Sequence, residues 1–437
     1  MSRGLRAAGA VAAALITTIS LSACAGLAAA PGSTNEPAAA MRGDSSHYIV
    51  LAVDNPLDSP AGRAGSSLGA YPAAPRYVLG QRAAGTLAAI AREHGLREAA
   101  GWPIATLGWH CVVFELPPGQ ERAELLASLG RDARVRLAQP LQDFETLAAA
   151  PSSITPPADG GLTYNDPYVN LQRGFVDTGA ARAHRLGVGA GVRIAVVDTG
   201  AATGHPDLAG RVAATRDLVG EADGRFEADR HGTEVAGIIA AAGNNHEGIV
   251  GIAPQARLEL FKACWQRADS GGAAGCNSFT LAKALGAVLE SDARIVNLSL
   301  GGPADPLLDQ LLALLLQQGR IVIGALPADG RRGGFPTGTP GVIAAGVAGA
   351  AQTAAGADVV SAPGRDVLTL QPGGAYDYAS GSSIAAAHVS GVAALLLGID
   401  PKLDRASLRT LLTPGDTRTL DAGAALDALT RRVTAAR

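Results

Sequence analysis

A chain of 437 residues is too long for one ordinary core and implies two folded units with connectors. Apolar residues make up 47% and charged residues 17%, so a large core can be buried, but aromatics at 4% are few and the layers must close on Ala and Gly. The formal charge of −3 leaves no basic excess, which argues against a nucleic-acid partner.

Arg3 and Arg6 precede an apolar stretch, Ala7 to Leu21, that ends in small residues, the pattern of a secretory signal peptide over residues 1–23. Its end, Leu21-Ser22-Ala23-Cys24, resembles the lipobox of bacterial lipoproteins, in which the chain is cut before the Cys and the thiol is lipidated. The resemblance implies a membrane anchor at Cys24, held at ~0.8 kcal/mol per buried methylene. It places the protein in the cell envelope, lipid-anchored at the outer membrane or periplasmic face. Ala25, where inner-membrane lipoproteins often carry Asp, favours the outer membrane. Residues 24–45, with Pro31, Gly32, Ser33 and Pro37, read as a flexible tether. No later segment shows the long uncharged apolar run that crosses a bilayer.

A first folded unit is predicted over residues 46–146. His47 to Val53 reads as a strand. Leu79 to His94 has helical periodicity, with Leu87, Ile90 and Ala91 on one face and Gly95 as a stop. Trp109 to Leu116 is a strand, with room for another at Arg97 to Thr106. Pro118 to Leu129 is a second helix and Val135 to Phe144 a last strand. The order is βαββαβ, a ferredoxin-like α+β pattern. Residues 147–160, with Pro151, Pro156, Pro157 and Gly160, mark a linker. From 161 to 437 apolar strands alternate with helices, which implies an α/β domain with a parallel sheet and helices on both faces. Cys264 and Cys276 bracket a Gly-rich loop outside the cytoplasm and are expected to form a disulfide, stabilising by roughly 3 kcal/mol. Cys111, in the run Cys111-Val112-Val113-Phe114, reads as a buried strand residue.

Three segments of this second unit carry candidate chemistry. The strand Val192 to Val197 ends in Asp198-Thr199-Gly200, and catalytic groups of open α/β sheets collect at such carboxyl ends. His231-Gly232-Thr233 precedes a small-residue helix, Val235 to Ala242, whose dipole disfavours the protonated imidazole and suits it to act as a neutral base. Gly381-Ser382-Ser383 opens the helix Ile384 to Leu397, where a serine presents its hydroxyl and the helix start faces a developing oxyanion. Taken singly, these are a turn, a helix start and an N-cap. Together, the order Asp, His, Ser is that of subtilisin.

The surrounding motifs resemble the subtilase family of serine proteases over most of residues 161–435. Ala195-Val196-Val197-Asp198-Thr199-Gly200 with Gly204-His205-Pro206-Asp207-Leu208, His231-Gly232-Thr233-Glu234-Val235-Ala236-Gly237, and Gly381-Ser382-Ser383-Ile384-Ala385-Ala386-Ala387-His388-Val389-Ser390-Gly391 are similar to its Asp, His and Ser motifs. Asn297-Leu298-Ser299-Leu300-Gly301-Gly302 is similar to its substrate-pairing edge strand, and Gly251-Ile252-Ala253-Pro254 and Asn165-Asp166-Pro167 are also typical. The resemblance implies a catalytic triad of Asp198, His231 and Ser383. It implies a peptide bound on Ser299, Leu300 and Gly301 by strand addition, and a small apolar first pocket walled by Gly324-Ala325-Leu326. The first unit resembles the family's propeptide, a chaperone and inhibitor, through His47-Tyr48-Ile49-Val50-Leu51 and Val135-Arg136-Leu137-Ala138-Gln139-Pro140. Its tail, Ala148 to Pro157, is expected to enter the active site and be cut, freeing the protease from its lipid.

Two stretches depart from the pattern or match it weakly. The family's oxyanion Asn falls on Ala328, in Ile321 to Gly330, which leaves the Ser383 N–H and a protonated Asp329 as candidate donors. Asn244 to Gly251 has the length of the family's calcium loop, with Asn245, Glu247 and Ile249 as candidate oxygen ligands, and a simple surface turn as the other reading. No cofactor is implied for the chemistry. The expected function is a serine endopeptidase made as a self-inhibited, lipid-anchored precursor acting on protein or peptide. The alternative is a weak or inactive lipoprotein that binds peptides or partner proteins on the same edge strand.

Overall fold

Alternation along the strands decides the layers, because successive side chains leave a strand on opposite faces. The computed structural model describes residues 35–56, 77–149, 164–220, 226–267, 274–350, 359–413 and 419–435, which lie within one unit from Asn35 to Arg437. The signal peptide, Cys24, the tether as far as residue 34 and the linker from residue 150 lie outside the described residues.

The first unit folds as expected, with three corrections. A helix, α1 (Asn35–Gly43), replaces the end of the expected tether and buries Met41. Then follow β1 (Tyr48–Asp54), α2 (Gln81–His94), β2 (Arg97–Ile104), β3 (Trp109–Glu115), α3 (Arg122–Leu129) and β4 (Val135–Pro140). The antiparallel order β2-β3-β1-β4 completes the βαββαβ pattern. Helix α3 starts four residues later than expected, because the Gln120 N–H closes a turn on the Pro117 carbonyl with Gly119 at a φ of +83°. The last strand divides after Pro140. β5 (Asp143–Thr146) and β6 (Ala148–Ala149) leave this sheet altogether.

An antiparallel sheet often has one wet face. Here both faces of β1 are covered. Ile49, Leu51 and Val53 meet Leu87 and Ile90 of α2 and Leu125 and Leu129 of α3. Tyr48, Val50 and Ala52 meet helices of the larger unit, where Trp102 stands edge-on to Phe279 with ring centroids 5.0 Å apart.

The larger unit begins with two short helices, α4 (Arg173–Asp177) and α5 (Ala180–Ala183). The chain then runs β7 (Arg193–Asp198), β8 (Val212–Asp217), α6 (Arg230–Ala240), β9 (Arg257–Lys262), β10 (Trp265–Gln266), β11 (Ala274–Asn277) and α7 (Ser278–Leu289). It continues with β12 (Ile295–Leu298), β13 (Leu300–Gly301), α8 (Pro306–Gln317), β14 (Ile321–Ala325), β15 (Ile343–Val347) and β16 (Val359–Ala362). It ends with β17 (Val367–Gln371), β18 (Ala375–Gly381), α9 (Ser382–Ile399), α10 (Arg405–Leu412) and α11 (Ala422–Ala435). The main sheet, in the order β16-β15-β14-β12-β7-β9-β8, is parallel throughout. Ile194 and Val196 of β7 face α6 and α9, while Ala195 and Val197 face α7 and α8. Strand order reverses between β7 and β12, and the carboxyl ends there form the crevice where such sheets bind ligands.

Helix α9 corrects one expectation. Its 18 residues are long and apolar enough to cross a membrane, yet it lies buried under the main sheet, which its small side chains Ala385, Ala386, Ala393 and Ala394 allow. Cys264 and Cys276 form the expected disulfide, which joins the ends of the β10–β11 hairpin. Cys111 is free and buried, and burial pushes its thiol up to about 12, so it is inert.

Candidate active site

Asp198 closes β7 at the strand-order switch and is fully buried. Its Oδ1 accepts the Thr199 N–H at 2.7 Å and the His231 Nδ1–H at 2.6 Å. His231 sits in the first turn of α6, held by the tight fit of Gly232, whose N–H donates to Thr199 Oγ1 at 2.9 Å. The helix start alone was expected to keep this imidazole neutral. Burial does push its pKa down, but the charge and hydrogen bond of Asp198, with Glu234 behind, outweigh burial and leave it raised. Ser383 lies in the first turn of α9 and is fully buried. Among the described residues neither its Oγ nor His231 Nε2 has a hydrogen-bond partner, so both remain available to a reacting group.

The cleft beside Ser383 is filled by the chain's own β5–β6 segment. β5 lies antiparallel between β11 and β13, with Glu145 opposite Gly275 and Gly301, and Thr146 opposite Leu300. The Leu147 N–H donates to the Ser299 carbonyl at 3.3 Å, and the Leu147 carbonyl accepts the Ser383 N–H at 3.3 Å. β6 then pairs with β18, Ala148 opposite Gly381 and Ala149 opposite Ser380. Ser299, Leu300 and Gly301 therefore all meet the backbone of the chain's own segment, residues 145–147. Gly381, at a φ of +136°, passes so close to this segment that a Cβ there would stand 2.3 Å from the Leu147 carbonyl oxygen.

The oxyanion side differs. Ala328 lines a cavity of about 510 Å³ beside Leu147, Leu326 and Ser382, but a methyl group donates nothing. The expectation for Asp329 is corrected. It is exposed, and its carboxylate accepts the Arg331 N–H at 3.0 Å, which makes it an acceptor within its own loop. The loop that carries the candidate calcium ligands is held by protein hydrogen bonds. Asn245 Nδ2 donates to Asp207 Oδ1 at 2.9 Å, and Asn245 Oδ1 accepts the Glu247 N–H at 3.0 Å. The Ile249 N–H and the Tyr376 hydroxyl donate to Asp207 Oδ2 at 2.9 and 3.1 Å. These hydrogen bonds close the loop on Asp207 and Tyr376 and occupy the Asn245 side chain at both ends. Among the described residues no cluster of His, Cys, Asp or Glu is arranged to hold a metal.

Two supports escaped the sequence reading. Asp229 and Lys262 form a buried ion pair, and Asp229 Oδ2 also accepts the Gly200 N–H at 2.8 Å, fixing the turn that follows Asp198. Asn297 Nδ2 donates to Ser299 Oγ at 2.9 Å, which in turn donates to the Ser383 carbonyl at 3.0 Å, while Ser390 Oγ donates to Asn297 Oδ1 at 2.9 Å. That chain ties the peptide-binding strand to α9. A lysine inside an apolar strand run (Leu258 to Lys262) was the available signal for the first.

Comparison with known proteins identifies the family. Residues 189–425 match the model of the subtilase family. The chain belongs to that family. Thermitase of Thermoactinomyces vulgaris is 33% identical over 246 residues, covering 54% of this subtilase and 85% of thermitase. An alkaline protease of Alkalihalobacillus alcalophilus is 32% identical over 325 residues, covering 69% of this chain and 82% of the relative. Among solved structures, fervidolysin from Fervidobacterium pennivorans, a keratinolytic enzyme related to subtilisin, superposes with a TM-score of 0.66 at 22% identity. That match covers 87% of this subtilase and 61% of fervidolysin, and it shows the shared fold.

Proposed function

We propose that this subtilase is a serine endopeptidase that cleaves protein or peptide through Asp198, His231 and Ser383. It is made as a self-inhibited precursor and held in the cell envelope by lipid on Cys24. The observation that carries the reading is a buried pair of Asp198 with His231 on α6, which packs on α9, together with the α9 serine whose backbone N–H holds a peptide carbonyl. His231 takes the hydroxyl proton of Ser383 as the oxygen attacks the carbonyl carbon, then gives it to the leaving amine. Asp198 fixes the imidazole tautomer and stabilises its cation. The Ser383 N–H, at the start of an 18-residue helix, faces the oxyanion, and Ala328 leaves it without a side-chain partner. No cofactor is needed, water completes the reaction, and no nucleic acid takes part. The N-terminal unit acts as the propeptide, because β5 and β6 occupy the positions a substrate backbone takes.

The test is hydrolysis of an unfolded protein by the purified, processed chain. Turnover that disappears with Ser383→Ala and with a fluorophosphonate supports the peptidase. Ala328 also favours a second reading, a binding protein that no longer turns over. A processed chain that binds peptide but neither cleaves it nor reacts with fluorophosphonate establishes that reading instead.

A further inference from the structure

We infer that the bond between Leu147 and Ala148 is the chain's own processing site, and that mature protein begins at Ala148. The inference rests on the serine-peptidase reading and fixes where that chemistry falls. Strand pairing sets the register from both sides. Upstream, Glu145 and Thr146 are paired with Gly301 and Leu300, and the Leu147 N–H reaches the Ser299 carbonyl. Downstream, Ala148 and Ala149 are paired with Gly381 and Ser380. A slip of one residue would turn every side chain of the segment to the opposite face. Between the two ladders only one carbonyl, that of Leu147, receives the Ser383 N–H.

The side chains agree with that register. Phe144 is buried against Phe335, edge-on with centroids 5.5 Å apart, in space that exists because Gly302 has no Cβ. Leu147 reaches toward Gly301, where an added Cβ would stand 3.1 Å from its Cδ1, and both it and Ala148 line the 510 Å³ cavity with Leu326 and Ala328. Thr146 Oγ1 accepts the Ala274 N–H at 3.1 Å. The segment is therefore read at two apolar side chains, Phe144 and Leu147.

In the reaction Ser383 Oγ bonds to the Leu147 carbonyl carbon, and its proton passes through His231 to the Ala148 nitrogen. The Leu147–Ala148 bond breaks and Ala148 leaves as a free amine. Water then attacks the Leu147 ester, its proton returns through His231 to Ser383, and Leu147 ends as a carboxylate.

The test is N-terminal sequencing and intact mass of the full chain, wild type and Ser383→Ala, after purification. Expected are a fragment beginning Ala148-Ala149-Ala150 from wild type and an uncut chain from Ser383→Ala. Because any substitution at Leu147 also touches the folded precursor, the register is read instead on a peptide spanning Asp143 to Ala150 added to processed enzyme. Cleavage after its Leu is expected, with kcat/KM about 10–200-fold lower when its Phe is replaced by Ala. A new N-terminus elsewhere, in protein that still reacts with fluorophosphonate, overturns this assignment and leaves the peptidase reading standing. Loss of the fluorophosphonate reaction itself overturns that reading. Processing of the Ser383→Ala chain at Ala148 overturns self-cleavage.

Discussion

The two sides of the cleft around Leu147 are built to different standards. On the strand side, β11 and β13 flank the peptide backbone over Asp143 to Thr146, a disulfide secures β11, and hydrogen bonds through Asn297 and Ser299 tie the binding strand to the nucleophile's helix. On the oxyanion side, among the described residues, one backbone N–H meets the Leu147 carbonyl, Ala328 supplies a methyl and Asp329 accepts the Arg331 N–H of its own loop. Interactions present in both ground and transition states hold peptide tightly, whereas only those that strengthen in the transition state raise kcat. On the proposed reading, the cleft therefore holds peptide better than it turns peptide over. That balance accords with the proposed precursor, whose β5–β6 segment lies in the cleft.

The comparison breaks most sharply at the triad. Asp198→Asn is expected to lower kcat by about 10⁴-fold with little change in KM, because the imidazole loses its tautomer and its counter-charge. In the unaltered enzyme the base must be neutral, and Asp198 raises the His231 pKa. The acid limb of kcat/KM therefore lies above pH ~6.5, the ordinary histidine value, and activity falls as pH drops through it. In Asp198→Asn the limb moves to lower pH, measurable as a pH–rate profile. An unmoved limb means that another group titrates.

The oxyanion side is sharpened by adding what it lacks. Ala328→Asn is expected to raise kcat by up to about 10²–10³-fold with KM nearly constant, measured on an amide substrate. No gain would mean that the loop holds residue 328 away from the oxyanion. The strand side is probed last. Replacing Cys264 and Cys276 by Ser is expected to lower stability by roughly 3 kcal/mol in denaturant titration. It should raise KM with kcat unchanged, since it loosens a strand that binds ground and transition state alike.

Much of this was legible in the chain. The apolar run ending in Asp198 announced a parallel strand, and small residues after His231 and Ser383 announced closely packed helices. The misplaced boundaries have local causes: Gly119 delays a helix and Pro140 ends a strand. The division of Val135 to Phe144 into two strands was hidden because periodicity is local, whereas the partners of β5, at Ala274–Asn277 and Leu300–Gly301, are far along the chain. The buried Asp229–Lys262 pair was hidden for the same reason, as was the way the Asn245 loop closes on Asp207 and Tyr376.

The most direct measurement is peptide mapping of processed protein after reaction with a fluorophosphonate. The account predicts one adduct, on Ser383, absent in His231→Ala. An adduct on another residue, or none in protein that has lost residues 1–147, would contradict it.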